Sequence, residues 1–183
     1  NGQYCRLVPL DVSHAKELYE LYDDKSWTYL PHGPFESLAE YQSWIESVYK
    51  GKDPVFYTVL VSGRALGTLS YLRIQASVGS IEVGWIHYSQ LLQRTKAGTE
   101  AIFLRMQRAF DELGYRRFEW KCDALNVPSQ NAAKRYGFTP EGLFRKCTIY
   151  KGRSRDTAWF SIIDSEWPQR KRAFEAWLSP DNF

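Results

Sequence analysis

The segment QRTKAG, residues 93–98, places two cations and a glycine at the head of an apolar helical pattern. The N-terminal end of a helix dipole is positive, and such positions ordinarily collect Asp and Glu. Arg94 and Lys96 there, with Gln93, Thr95, Ala97 and Gly98 around them, read as a place for an anion. Amides without helical partners point at the ligand, the dipole attracts it and the two side chains add charge. Gly98 lets a backbone come close. The alternative is a helix start whose basic residues are simply solvated.

The elements around this segment decide between the two readings. Residues 4–10 form a short apolar run with Pro9 in it, which suits an edge strand. Ser13 is placed to cap a short helix over 14–22. WTYLPHGPF, residues 27–35, carries two prolines and a glycine and reads as an aromatic loop. A second helix over 37–49 opens on the capping box SLAE, with Ser37 at the cap and Glu40 three residues on. Three strand-like runs follow, ending near residues 61, 74 and 88, with tight-turn residues between them. Periodicity then changes to 3.6, predicting a helix from about 94 to 113 that ends at Gly114. RRFEWKCD is a strand with Phe118, Trp120 and Cys122 on one face. NVPSQNAAKRYGF holds a short helix with Pro128 and Ser129 in its first turn and Gly137 at its end. Residues 143–163 make a hairpin turning at 151–155, and a helix near 167–177 follows.

The order β-α-α-β-β-β-α-β-α-β-β, with that final helix, predicts a mixed α/β fold: a mostly antiparallel central sheet with one parallel strand pair, flanked by helices. The helix over 94–113 is a crossover joining two parallel neighbours, the strands at 80–88 and 117–123. QRTKAG thus leaves the C-terminal end of a strand in a parallel pair, where open α/β sheets hold their ligands. Position therefore favours the anion site.

Composition bounds the rest. The 183 residues are 44% hydrophobic and 25% charged, with 7 Trp, 12 Tyr and 10 Phe, enough for one domain over 1–183 with a real core. A net charge of +3 is too mild to argue for nucleic acid or a membrane surface, and neither is expected as a partner. Cys5, Cys122 and Cys147 are odd in number and fit no metal spacing, so no metal is expected. Reduced, partly buried thiols suit a cytoplasmic protein. No apolar run is long enough to span a bilayer. Monomer and homodimer both remain open.

The order of elements resembles the GNAT superfamily of acyl-CoA-dependent N-acyltransferases. That family's pyrophosphate loop reads Gln/Arg-x-x-Gly-x-Gly/Ala. Here Gln93 and Gly98 match, while Lys96 stands at the first glycine. TEA (Thr99 to Ala101), IEVGW (81–85), and N-x-x-S followed by GF (Asn126, Ser129, Gly137, Phe138) are similar to the ribosomal-protein N-terminal acetyltransferase branch. The resemblance covers nearly the whole chain.

The resemblance implies acetyl-CoA as co-substrate and a primary amine as acceptor, either a protein N-terminus or a small molecule. Backbone amides of residues 93–99, Thr99 included, would hold the pyrophosphate. The backbone at Trp85, Ile86 and His87 would hold the pantetheine arm and polarise the thioester. Many members use a Tyr as general acid four residues before the Gly of GF; that position is Ala133 here, and the branch's N-x-x-S serine carries the role to Ser129, which also reads as a first-turn or capping serine. Glu82 matches the strand glutamate used as base in other branches, with a structurally paired carboxylate as its alternative. The base proposed for the ribosomal-protein branch falls near Thr148, which cannot serve; a water chain from Glu82, His87 or Asp123 is a further route. Asn126 and Asn131 are placed to bond the pantetheine or Ser129; Arg135 either reaches the 3′-phosphate or is a solvated helix residue; Trp27, Tyr29, His32 and Phe35 either contact the acceptor or pack the loop among themselves. The rival to an enzyme is a non-catalytic acyl-CoA-binding module.

Overall fold

The structure is a computed structural model that describes residues 1–49 and 51–182. The chain forms two compact units: Asn1–Ile74 with Val83–Met106, and Gln75–Glu82 with the chain from Gln107 onward. Hydrogen-bonded strands follow the order β1-β2-β3-β4-β5-β7-β6.

In the first unit, β1 (Arg6–Pro9) pairs antiparallel with β2 (Val55–Val61), and β2 with β3 (Arg64–Gln75). β1 lies at the end of the strand order, where Pro9 costs no ladder bond. β2 and β3 are joined through Ser62 and Gly63, both at positive φ (50° and 83°), the handedness a two-residue hairpin turn demands. Side chains alternate across β2. Phe56 and Leu60 enter a core with Leu18 of α1 (Ala15–Leu21) and with Tyr41 and Ile45 of α2 (Leu38–Tyr49). Tyr57 turns the other way and, with Tyr71 of β3, flanks the Arg105 guanidinium of α3 (Lys96–Gln107) at 4.2 and 5.2 Å. α1–α2 and α3 therefore occupy opposite faces of these strands.

In the second unit, the first residues of β4 (Ser80–Tyr88) pair in parallel with β5 (Arg117–Asp123), from Ser80↔Arg117 to Glu82↔Glu119. β5 pairs antiparallel with β7 (Arg153–Ile163), and β7 with the edge strand β6 (Thr139–Tyr150). Phe118 and Trp120 pack with Phe138, and Phe110 stacks on Trp167 of α5 (Trp167–Leu178). The mixed sheet with its parallel pair is the predicted one.

Several boundaries differ from the sequence reading. Ser13 is not the cap. Asp11 accepts from the Ser13 amide (2.9 Å), and the His14 ring accepts from the Asp11 amide (3.1 Å), so a 3-10 turn precedes α1. Ser37 does accept from the Glu40 amide, but the Glu40 carboxylate reaches back to Glu36 N rather than to Ser37. Trp27 closes a 3-10 turn, Asp24–Trp27, rather than opening a loop. α3 starts at Lys96 because Arg94 takes φ 60°, and it ends at Gln107 in a widened turn, Arg108–Glu112, where Leu113 N donates to Arg108 O. The β6–β7 turn is tighter than expected, at Lys151 and Gly152. Cys5 and Cys122 are buried thiols, but Cys147 is exposed on the edge strand.

One acid-sensitive tie holds that edge strand. Arg117 meets both Glu141 carboxylate oxygens, at 2.7 and 2.5 Å, and Ser161 Oγ donates to the same group. The Arg117 hydrogen bonds lower the Glu141 carboxyl from the ordinary 4.5 to about 2. A depressed folded-state value stabilises above the unfolded value and is lost as pH falls through the folded one. Glu141→Gln is therefore expected to flatten the pH dependence of unfolding between pH 4.5 and about 2, as read by denaturant melts across that window.

Candidate active site

The segment after β4 is shaped by its own chain. Leu92 and Gln93 donate their amides to Ser89 O, and the Leu92 side chain is fully buried. Thr95 is the cap of α3: its Oγ1 accepts from Gly98 N (3.0 Å) and donates to Leu92 O (2.7 Å). Thr99 N and Oγ1 both return to Thr95 O. Among the described residues, nothing accepts from the main-chain amides of Arg94, Thr95 and Ala97. Gly98 is needed for a reason the sequence did not reveal. A Cβ there would sit 2.5 Å from the Leu92 carbonyl oxygen, so the close approach is to the chain itself. Gln93 is exposed, with its Nε2 donating to Tyr88 O (2.8 Å). Arg94 is exposed, and Lys96 Nζ lies 5.2 Å from the centre of the Tyr4 ring.

The backbone of β4 departs from regular strand geometry before this segment. Trp85 adopts φ 47°, rare for a non-glycine residue. Trp85 and Ile86 are half-buried and His87 is buried. Tyr22 stacks on the His87 ring at 3.5 Å and donates to the His87 carbonyl at 2.8 Å. Ser26 Oγ spends its hydrogen on Asp23 O (2.6 Å), so its 2.7 Å contact with His87 Nε2 must be donated by the ring. That fixes the tautomer. Burial, and then the nearby His32, push the ring down to about 3, so His87 is neutral near pH 7 and is no reservoir for protons. Of the aromatic candidates, Trp27 is 4% exposed and is surrounded by Tyr22, His32, Phe35, Tyr41 and His87. Its ring is spent on packing. Tyr29, His32 and Phe35 keep partial exposure, His32 stacked on Trp44 at 4.3 Å.

In the second unit, α4 (Val127–Arg135) is capped by Asn126, whose Oδ1 accepts from Ser129 N (3.1 Å). Ser129 is thus a first-turn residue and not the cap. Its Oγ accepts from Trp120 Nε1 (3.0 Å), which leaves its own hydrogen to donate. Cys122 is one neighbour for it: burial raises that thiol, and the Ser129 contact pulls it partly back. Asn131 is exposed, and the Arg135 guanidinium lies 4.5 Å from the Tyr136 ring. Glu82 is buried and ion-paired to Lys121 at 2.9 Å. Asp123 accepts from Leu125 N, Tyr150 OH and Arg153. Its carboxyl lies below the ordinary value: burial would raise it, but these hydrogen bonds outweigh burial. Thr148 is exposed on β6.

The family model of the acetyltransferase (GNAT) domain matches residues 5–139. The chain belongs to the GNAT acetyltransferase family. A GCN5-related N-acetyltransferase from Brucella melitensis has a crystal structure similar to this one over all of this chain and 86% of its own, at 45% identity and a TM-score of 0.97. A probable GNAT-family acetyltransferase from Chromobacterium violaceum ATCC 12472 is 41% identical, covering 92% of this chain and 87% of its own, with a TM-score of 0.87. The match to uncharacterized N-acetyltransferase YnaD of Bacillus subtilis (strain 168) is 28% identical over 47% of this chain and spans half of that relative's length. As a GNAT acetyltransferase the chain is an acyl-transferring enzyme, and acetyl-CoA is the family's donor. No helix among the described residues is long and apolar enough to cross a membrane.

The sequence reading missed two features of this GNAT chain. One is the Tyr22–Ser26 hold on His87, whose partners lie more than 60 residues apart in the chain. The other is the ionic side of β5, Arg117, Glu119, Lys121 and Asp123. A period-2 reading of RRFEWKCD exposes it once Phe118, Trp120 and Cys122 are given the opposite face.

Proposed function

We propose that this GNAT enzyme moves the acetyl group of acetyl-CoA to a primary amine in the cytoplasm, by direct attack of the amine on the thioester. One observation carries the reading: the undonated amides of Arg94, Thr95 and Ala97 open a buried helix whose first turn is locked by Thr95 and Gly98. Such a cradle fits a diphosphate, with Arg94 beside it adding charge. The backbone of β4 at Trp85, Ile86 and His87, turned by the positive φ of Trp85, suits the pantetheine arm and the thioester oxygen. Asn126 takes the part of a cap. Asn131, exposed, and Arg135 keep a coenzyme contact within the proposal.

In the reaction the C–N bond forms as the C–S bond breaks. The amine's proton passes to Glu82, and the departing thiolate takes a proton from Ser129, whose hydrogen is left for donation by the Trp120 contact. The motifs TEA, IEVGW and N-x-x-S favour a protein N-terminus as acceptor, with a small amine as the other candidate. Tyr29, His32 and Phe35 are the residues for acceptor contacts.

A thiol-release assay with acetyl-CoA and a panel of amines and N-terminal peptides tests this. Turnover on at least one amine is expected; coenzyme A binding without turnover on any of them would leave a binding module. Ser129→Ala is expected to slow kcat by about 100-fold with little change in coenzyme A affinity. An unchanged rate would remove Ser129 from the acid role.

A further inference from the structure

The ionic side of β5 centres on one lysine. Lys121 Nζ lies 2.9 Å from Glu82 Oε2 on β4, 2.7 Å from Glu119 Oε2 on β5, and 3.7 Å from the centre of the Trp159 ring on β7. Its side chain is 7% exposed, that of Glu82 3% and that of Glu119 11%. Glu119 is in turn held by Arg117 Nε at 2.6 Å, and Arg117 by Glu141 of β6. From β7 the neighbours are Trp159 and Ser161, neither of which titrates near neutral pH. The cluster of Lys121, Arg117, Glu82, Glu119 and Glu141 thus holds two cations against three carboxylates.

Glu119 is an anion at neutral pH. Burial would raise its carboxyl, but the hydrogen bonds and charges of Lys121 and Arg117 outweigh it and hold it below the ordinary value. Lys121 is therefore shared between two carboxylates. A buried ammonium divided in this way is a poor device for stability, since an apolar pair of the same volume often serves as well. It is, however, an effective control on a carboxylate's proton affinity. A cation at hydrogen-bond distance lowers that affinity, and a competing anion beside the cation restores part of it.

We propose that Lys121 is a positioning residue for the transfer reaction: its ion pair with Glu82 sets the pH above which that carboxylate accepts the amine's proton, and Glu119 sets how much of the Lys121 charge Glu82 feels. The proposal rests on Glu82 as the base. It gives Lys121 and Glu119 effects of opposite sign on one measurable quantity, the acidic limb of the pH profile of kcat/KM.

The experiment measures that profile for the full chain and its variants with acetyl-CoA and the best amine of the panel. Glu82→Gln comes first, and is expected to lower the rate at least about 100-fold and to abolish the acidic limb. Lys121→Met is expected to move the limb up by about one unit or more. Glu119→Gln is expected to move it down, because the Lys121 charge then falls on Glu82 alone. Lys121→Arg, which keeps the charge, is expected to hold it near the wild-type position. Loss of packing lowers rates but does not move the limb in opposite directions. If Glu82→Gln keeps the limb, the base reading fails and the proposal with it. If Glu82→Gln removes the limb while Lys121→Met and Glu119→Gln leave it in place, or move it in the same direction, the proposal alone is overturned. Should Lys121→Met not fold, as circular dichroism would show, the downward shift in Glu119→Gln and its absence decide between the same outcomes.

Discussion

Gly98→Val is expected to raise the dissociation constant for coenzyme A by about 100-fold, roughly 2.7 kcal/mol. The physical cause is contact within the loop rather than a blocked ligand. A Cβ at this position would stand 2.5 Å from the Leu92 carbonyl oxygen. That carbonyl cannot retreat easily, because the Leu92 side chain is fully buried and Thr95 Oγ1 donates to the oxygen at 2.7 Å. Relief must come from moving the helix start, which breaks the 3.0 Å bond from Gly98 N to Thr95 Oγ1. Overpacking of this kind costs about 1–3 kcal/mol, and it falls on the turn that aims the Arg94, Thr95 and Ala97 amides. Gly98→Ala meets the same oxygen and is expected to change affinity in the same direction by a smaller factor. Isothermal calorimetry with coenzyme A reads both. Equal affinity in Gly98→Val with an unchanged far-ultraviolet spectrum would remove this loop from the binding site.

The same loop shows what was legible and what was not. Its place was readable, because the change from period 2 to period 3.6 marks the end of a strand and the start of a helix whatever the tertiary contacts. The proposal that it holds an anion also starts there, from cations where acids are usual. What each residue does there was not. Gly98 reads as room for a ligand, yet the atom it makes room for is Leu92 O, six residues back through a turn set by the positive φ of Arg94. Lys96 reads as a charge for phosphate, yet its Nζ lies over the Tyr4 ring, a partner about ninety residues earlier in the chain. Periodicity is blind to partners at such separations.

The candidate catalytic carboxylate follows the same rule. IEVGW marked Glu82 as a strand residue, but its lysine comes from the parallel neighbour, and pairing register is not written in either strand alone. Ser129 was more legible because its cap, Asn126, is local, and an Asn three residues before a serine near a proline is a helix-start pattern. Its Trp120 donor, nine residues away across a turn, was beyond that pattern.

Glu100 was read only as the middle of TEA and given no role, and its loss is expected to be the most destabilising single change in this region. It sits in the opening of α3, two residues after Gly98, and is 5% exposed. Its carboxylate accepts three successive main-chain amides of the N-terminal segment: Gln3 at 2.6 Å, Tyr4 at 2.7 Å and Cys5 at 2.8 Å. Burial first, and then the charge and hydrogen bond of Glu100, push the Cys5 thiol up to about 12. Glu100→Ala strands the three donors. Each unsatisfied buried donor costs about 1–3 kcal/mol, and the outer ones recover part of that from water. A net loss of about 3 kcal/mol corresponds to a fall in Tm of roughly 6–12 °C for a chain of this length. Tyr4 lies under Lys96, so release of this segment also frees a side chain of the proposed coenzyme loop. Two readings check the prediction: the melting temperature, and the alkylation rate of Cys5, which rises as the segment opens and the carboxylate no longer opposes the thiolate. A Tm within a degree or two of wild type, with Cys5 as slow to alkylate as before, would show that the segment is held by packing alone.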